Sequence, residues 1–150
     1  MWFMNKIVNP VMRLILRSRL HKLMSDSLLI ITCCGRKSGR KYSVPVQYSQ
    51  AGNIISIVPG MPEKKTWWRN LKEAAPVQLR LHGESVAGKA RVLKADTDAE
   101  EIVEGFRRYL RRFPGMAKVH HVSVQADGSF NAEELRLAAR QAVIIRVELS

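Results

Sequence analysis

The run Leu28-Leu29-Ile30-Ile31-Thr32-Cys33-Cys34, ended by Gly35, constrains the fold more than any other stretch of the chain. Its β-branched and apolar continuity predicts a strand covered on both faces. Beyond it, Tyr42, Val44, Val46 and Tyr48 alternate with Ser43, Pro45 and Gln47, and Ala51-Gly52-Asn53 offers a turn into Ile54 to Val58. That pattern predicts a hairpin. Pro45 has no N–H to give a ladder, so its strand is expected to form an edge or a bulge there. A second hairpin is read from Val77, Leu79 and Leu81 through Gly83-Glu84 to Ala90, Val92 and Leu93, and a last strand from Val143 to Leu149.

Helical spacing appears in four places. Ile102, Val103, Phe106, Tyr109, Leu110 and Phe113 share one face of residues 97–113, with Arg107, Arg108, Arg111 and Arg112 on the other. Residues 63–73 read as a short helix, as does the stretch near Asn131 to Arg140. Residues 10–24 form an amphipathic pattern that starts at Asn9-Pro10, a cap followed by a proline suited to the first helical position. Met116 to Asn131 has no clear period. Two hairpins, a closing strand and helices between them predict an α+β fold, mainly β: a small antiparallel barrel with helices outside. At 150 residues the chain is expected to be one domain, with the N-terminal helix in 1–25 and the barrel in 27–150.

Charge narrows the function. The net charge is +12, and it sits almost wholly in the first part: up to His82 there are 14 Lys/Arg against three acids, and after it 11 against ten. The first part is therefore expected to face something anionic, whether a phosphorylated ligand, nucleic acid or an acidic membrane surface. The basic N-terminal helix allows peripheral contact with an anionic membrane, or simply packs on the domain. Its arginines and lysine interrupt the apolar run before the ~20 residues a span requires, and no cleavable signal is read, so the expected location is cytoplasmic or at the inner membrane face. Cys33 and Cys34 are adjacent, lack zinc or redox spacing, and are expected to be small buried fillers. His120-His121 likewise lacks metal-ligand spacing, and no metal is expected.

Two motifs carry chemistry. Gly35-Arg36-Lys37-Ser38-Gly39-Arg40-Lys41 places four cations and a hydroxyl between two strands, with glycines able to turn backbone N–H groups toward an anion. It is not a Walker loop, and its composition equally describes a solvated hairpin tip. Trp67-Trp68-Arg69-Asn70-Leu71 sets two indoles about 100° apart on a helix, so one is expected in the core and the other is free to border a planar ligand. No nucleophile elbow, zinc-protease or dinucleotide motif is present.

Taken in order, these residues resemble the deazaflavin-dependent nitroreductases. The resemblance runs from Asn9-Pro10 through Leu28 to Thr32, the Gly35 to Arg40 turn, Val44-Pro45-Val46, Trp67 to Leu71, Pro76-Val77 and Gly83, and returns in the Ala139 to Leu149 strand. It implies the split β-barrel of flavin-nucleotide-binding oxidoreductases and coenzyme F420, a deazaflavin with a phosphate and an acidic oligoglutamate tail. On that resemblance Gly35, Arg36, Lys37, Ser38 and Gly39 hold the phosphate, Arg40 and Lys41 lie near the tail, and Val44, Pro45 and Val46 run beside the ring. Trp67, Trp68 and Asn70 border the ring's pocket. The implied reaction is hydride transfer to a quinone, nitroaromatic or enone, with the cofactor carrying the chemistry. The chain departs from the family pattern at Tyr42, where relatives often carry arginine, and at Val58-Pro59-Gly60, where many have Ser-Lys-Gly near the ring. Tyr109, Phe113 and His120 are the expected acceptor side. FMN in the same barrel, and a basic surface for anionic lipid or nucleic acid, are the alternative readings; nucleic acid is the less expected because aromatics do not interleave with the basic run. A homodimer is also allowed.

Overall fold

The computed structural model describes residues 28–60 and 62–150. Its six strands are β1 (Leu28–Cys34), β2 (Lys41–Ala51), β3 (Ile54–Ile57), β4 (Ala75–Leu81), β5 (Glu84–Val92) and β6 (Ile145–Leu149). They close into a barrel in the order β1-β2-β3-β6-β5-β4, with every neighbouring pair antiparallel. Alternation along each strand dictates what fills it. Leu29, Ile31 and Cys33 of β1, Val46 and Tyr48 of β2, Val77, Leu79 and Leu81 of β4 and Val147 of β6 form the barrel core. Ile30, on the opposite face of β1, is also buried, so the centre of that strand is covered on both sides as its apolar run predicts.

Three helices lie outside the barrel: α1 (Ala99–Arg112), α2 (Gly115–Val119) and α3 (Ala132–Gln141). Phe106, Tyr109 and Leu110 of α1, Ala117 of α2 and Leu135 and Ala139 of α3 build a second core with Val58, Leu93 and Ile144. Burying each large side chain there contributes roughly 1.5–3 kcal/mol. Asp98 clips α1 to the barrel. Its carboxylate accepts from both Arg91 guanidinium nitrogens at 2.8 and 3.2 Å and from the Lys94 N–H at 2.8 Å, and the Arg91 bond holds its pKa at about 2.

Four expectations are corrected or limited. Residues 63–73 are not one helix but two 3-10 turns, Pro62–Lys64 and Trp67–Leu71. The Asn70 side chain donates to the Trp67 carbonyl at 3.0 Å, an interaction that competes with continuous helix, and the second turn buries Trp67 and Leu71. Cys33 is buried but Cys34 is exposed, because adjacent residues of the strand face opposite sides and the barrel covers only one of them at that end. The stretch after Met116 holds α2 and a small Val124–Phe130 bridge. The predicted helix at residues 10–24 lies outside the described residues, among which no helix is long and apolar enough to cross a membrane.

Among the described residues, the pairing leaves part of β2 without a second partner strand. β3 pairs with β2 only from Tyr48 to Ala51, whereas β1 follows β2 from Lys41 to Gln47. Among the described residues, this upper half of β2 therefore has a strand on one side alone. Pro45 stands there, opposite Ile30, as the missing N–H predicts.

Candidate functional site

The turn between β1 and β2 is tied by its own backbone. The Gly35 N–H donates to the Arg40 carbonyl at 2.7 Å and the Gly39 N–H to the Gly35 carbonyl at 3.0 Å. Gly39 is in the left-handed region, at φ 69°. A β-carbon on Gly35 would meet both Ser38 Oγ and Tyr42 Cε2 at 2.8 Å, so any other residue there would push these two side chains aside. Ser38 Oγ accepts from the Arg40 N–H at 3.2 Å and lies 3.5 Å from the Tyr42 hydroxyl. From the second 3-10 turn, Asn70 Oδ1 accepts the Arg36 N–H at 3.0 Å. The N–H groups of Lys37 and Ser38 have no acceptor among the described residues.

These contacts bound a cleft of about 550 Å³, lined by the Gly35 to Ser38 segment with Tyr42, Arg69 and Asn70. Arg36 and Lys37 are exposed, and no carboxylate pairs with them or with Arg69 among the described residues. Arg69 lies over the Trp68 ring, 5.6 Å from its centroid. Free backbone donors, a serine hydroxyl and unneutralised cations around one hollow suit a phosphate. Tyr42 and Arg69 are the lining residues that sequence reasoning left outside the binding set. Both were within reach of it: Tyr42 occupies the arginine position of relatives, and Arg69 lies inside the tryptophan motif.

A second cleft, of about 380 Å³, lies where the chain leaves β3. Val58, Pro59 and Gly60 face Tyr109, His120 and Met116 across it, so residues from opposite ends of the sequence meet. Burial raises the Tyr109 pKa and keeps its hydroxyl protonated. Burial first, then the neighbouring His121, lowers that of His120, whose ring stands edge-on to Phe106 at 5.0 Å. Phe113 packs against Tyr109 at 5.5 Å but does not border this cleft. Val58 to Gly60 line this second cleft, while Arg69 and Asn70, farther along the chain, line the first.

The other residues named for the cofactor are distributed around these hollows. Arg40 and Lys41 are exposed just beyond the first cleft. Val46 and Trp67 are buried in the barrel core and Val44 packs against it, leaving Pro45 half-buried on the open strand. Trp67 thus borders neither cleft. Trp68 is half-buried and donates from Nε1 to the Pro62 carbonyl at 2.9 Å.

Comparison with known proteins decides what kind of barrel this is. Residues 2–115 match the family model described as F420H(2)-dependent quinone reductase. The chain belongs to that family. An F420H(2)-dependent quinone reductase is an oxidoreductase, its cofactor is coenzyme F420, and its acceptor is a small molecule, so FMN gives way to the deazaflavin. Among solved structures, an F420-H2 dependent reductase, FDR-A, is similar at TM-score 0.57 and 19% identity, covering 81% of this chain and 94% of its own. Another, described as a domain-swapped dimer, is similar at TM-score 0.56 and 16% identity, covering 93% of this chain and 99% of its own. These likenesses establish the split-barrel fold of this quinone reductase family member. No curated protein matches it.

Proposed function

We propose that this F420-dependent reductase holds the cofactor's phosphate in the Gly35 to Ser38 cleft and receives its quinone in the Val58 to Gly60 cleft. The observation that carries this reading is one hollow lined by Arg36, Lys37, Ser38 and Arg69, where the Lys37 and Ser38 N–H groups have no acceptor among the described residues. Arg supplies forked donors, Lys a point charge and the turn fixed dipoles. Arg40 and Lys41, exposed at the rim, face the acidic tail. Pro45 and the open half of β2 lie beside the ring.

When bound, the reduced deazaflavin supplies the hydride. The chain's own residues orient and shield. The second cleft is mostly apolar, which suits a quinone ring and excludes water, while the Tyr109 hydroxyl and the neutral His120 ring offer hydrogen bonds to its oxygens. Val58 and Pro59 provide neither the hydroxyl nor the amine that Ser-Lys-Gly relatives carry, so the polar groups left for the acceptor are Tyr109 of α1 and His120 after α2, with His121 and Gln141 also on the lining. A cytoplasmic homodimer, with the basic N-terminal segment touching the inner membrane face where quinones dissolve, completes the proposal.

Titration of the purified protein with F420 and FMN in parallel tests it, followed by oxidation of reduced F420 with menadione. Lys37→Ala should weaken F420 binding by ~1.5–3 kcal/mol, the value of one charged hydrogen bond, with folding intact. Unchanged affinity would place the phosphate elsewhere.

A further inference from the structure

A third hollow, of about 430 Å³, is lined by Tyr48, Ser49 and Gln50 of β2, by His82, and by Arg108, Arg111 and Arg112 of α1. It lies at the other end of the barrel. β1 and β4 run antiparallel, so the Gly35 turn adjoins the start of β4, and His82 follows the end of that strand. The three arginines stand at i, i+3 and i+4 and therefore share one face of the helix. Helix-terminal dipole compensation accounts for cations in the last turn of α1. It does not account for their meeting other groups in one hollow.

Three observations point to a ligand. First, none of the three arginines has an ion pair among the described residues, although α1 carries acids that pair elsewhere: Glu104 with Arg107 and Glu101 with Arg146. Second, the Ser49 hydroxyl is buried on the hollow's wall, with the residue 7% exposed, and has no hydrogen-bond partner among the described residues. A buried, unsatisfied hydroxyl is costly, and an anion's oxygen would relieve it. Third, His82 holds φ 51° beside Gly83 at φ 79°, in a two-residue hairpin turn where asparagine or glycine is the easier choice. The strained position turns a histidine to the hollow, with Nε2 lying 3.3 Å from the Tyr48 hydroxyl.

We propose that this arginine hollow is a second anion site, distinct from the Gly35 cleft, that takes a phosphate group. Three guanidinium groups converging from one side suit the three peripheral oxygens of a phosphate better than the two of a carboxylate. The same chemistry is offered by a soluble organic phosphate and by a phospholipid headgroup.

Inorganic pyrophosphate is the probe, titrated calorimetrically into the full chain carrying Arg36→Gln and Lys37→Gln, which weakens the first cleft. Binding should persist in that protein, fall about tenfold or more when Arg108→Gln and Arg112→Gln are added, and lessen as salt rises. In the unaltered chain the Ser49 and His82 amide resonances should shift on titration. Phosphatidylcholine vesicles with and without phosphatidic acid separate the sources. Binding to the acidic vesicles that requires Arg108 and Arg112 assigns the site to a headgroup, and pyrophosphate binding alone assigns it to a soluble phosphate. Loss of all pyrophosphate binding with Arg36→Gln and Lys37→Gln, or indifference to the arginine substitutions with unmoved Ser49 and His82 amides, would overturn the proposal.

Discussion

Asn70→Ala isolates what pins the cofactor turn. Asn70 makes two hydrogen bonds of 3.0 Å, one accepted from the Arg36 N–H and one donated to the Trp67 carbonyl. Each contributes about 0.5–1.5 kcal/mol net, so the pair is worth about 1–3 kcal/mol. Arg36 is exposed, and water replaces the lost acceptor there, which puts the stability loss at the lower end, about 1 kcal/mol. The effect on binding is larger than that figure suggests. With the pin removed, the turn must be ordered by the ligand, and ordering even one residue's backbone costs about 1–2 kcal/mol. F420 affinity should therefore fall about five- to thirtyfold. Asn70→Asp retains the acceptor for Arg36 but adds a negative charge to the hollow proposed for the phosphate, so it should weaken binding while leaving the Arg36 contact in place. Fluorescence titration of F420 and urea unfolding, run on both variants, measure the two quantities. An Asn70→Ala protein that is destabilised as expected yet binds F420 with unchanged affinity would refute the link between the pinned turn and the phosphate.

Two further outcomes follow from local chemistry. The Asp98 carboxyl has a folded pKa of about 2, below the ~3.9 of an unfolded aspartate, so its stabilisation is complete above the unfolded value and is lost as pH falls toward the folded one. Asp98→Asn should therefore remove up to about 3 kcal/mol at neutral pH and flatten the acid limb between those values, as read by urea midpoints across acidic pH; an unaltered acid limb would contradict the assignment. Cys33 is buried, with its thiol pushed up to about 11 by burial and by its neighbour, whereas Cys34 is exposed. Iodoacetamide at mildly alkaline pH should add one label to the folded chain and none to Cys34→Ser, counted by mass spectrometry, and two labels before unfolding would disprove it.

The barrel was legible because its signals are local. Alternation in Val77 to Leu81, the apolar run at β1 and the helical period of Ile102 to Leu110 each follow from one element meeting one core. The Gly35 to Arg40 turn was legible for the same reason, as its donors are adjacent in sequence. Tertiary partners were not. Whether residues 63–73 form one helix or two 3-10 turns depends on where Trp67 and Leu71 must point and on Asn70 reaching Arg36, 34 residues away. Adjacent tryptophans show that one indole faces inward but do not say which. The second cleft joins Val58 to His120, a distance no short-range pattern carries. Ser49 and His82 gave no signal at all, since a strand serine and a turn histidine acquire meaning only beside α1.

The open half of β2 has a consequence for the behaviour of the chain in a crowded solution. A row of free backbone donors and acceptors is a template on which a strand from another molecule can dock and begin aggregation. Pro45 stands midway along that row, paired with Ile30 on one side and, among the described residues, with no strand on the other. A residue without an N–H interrupts the template while leaving the ladder to β1 unbroken. The opening can thus stay unpaired without recruiting a stray strand. Replacing the proline would restore the template, and the first sign would be turbidity on concentration rather than a loss of turnover.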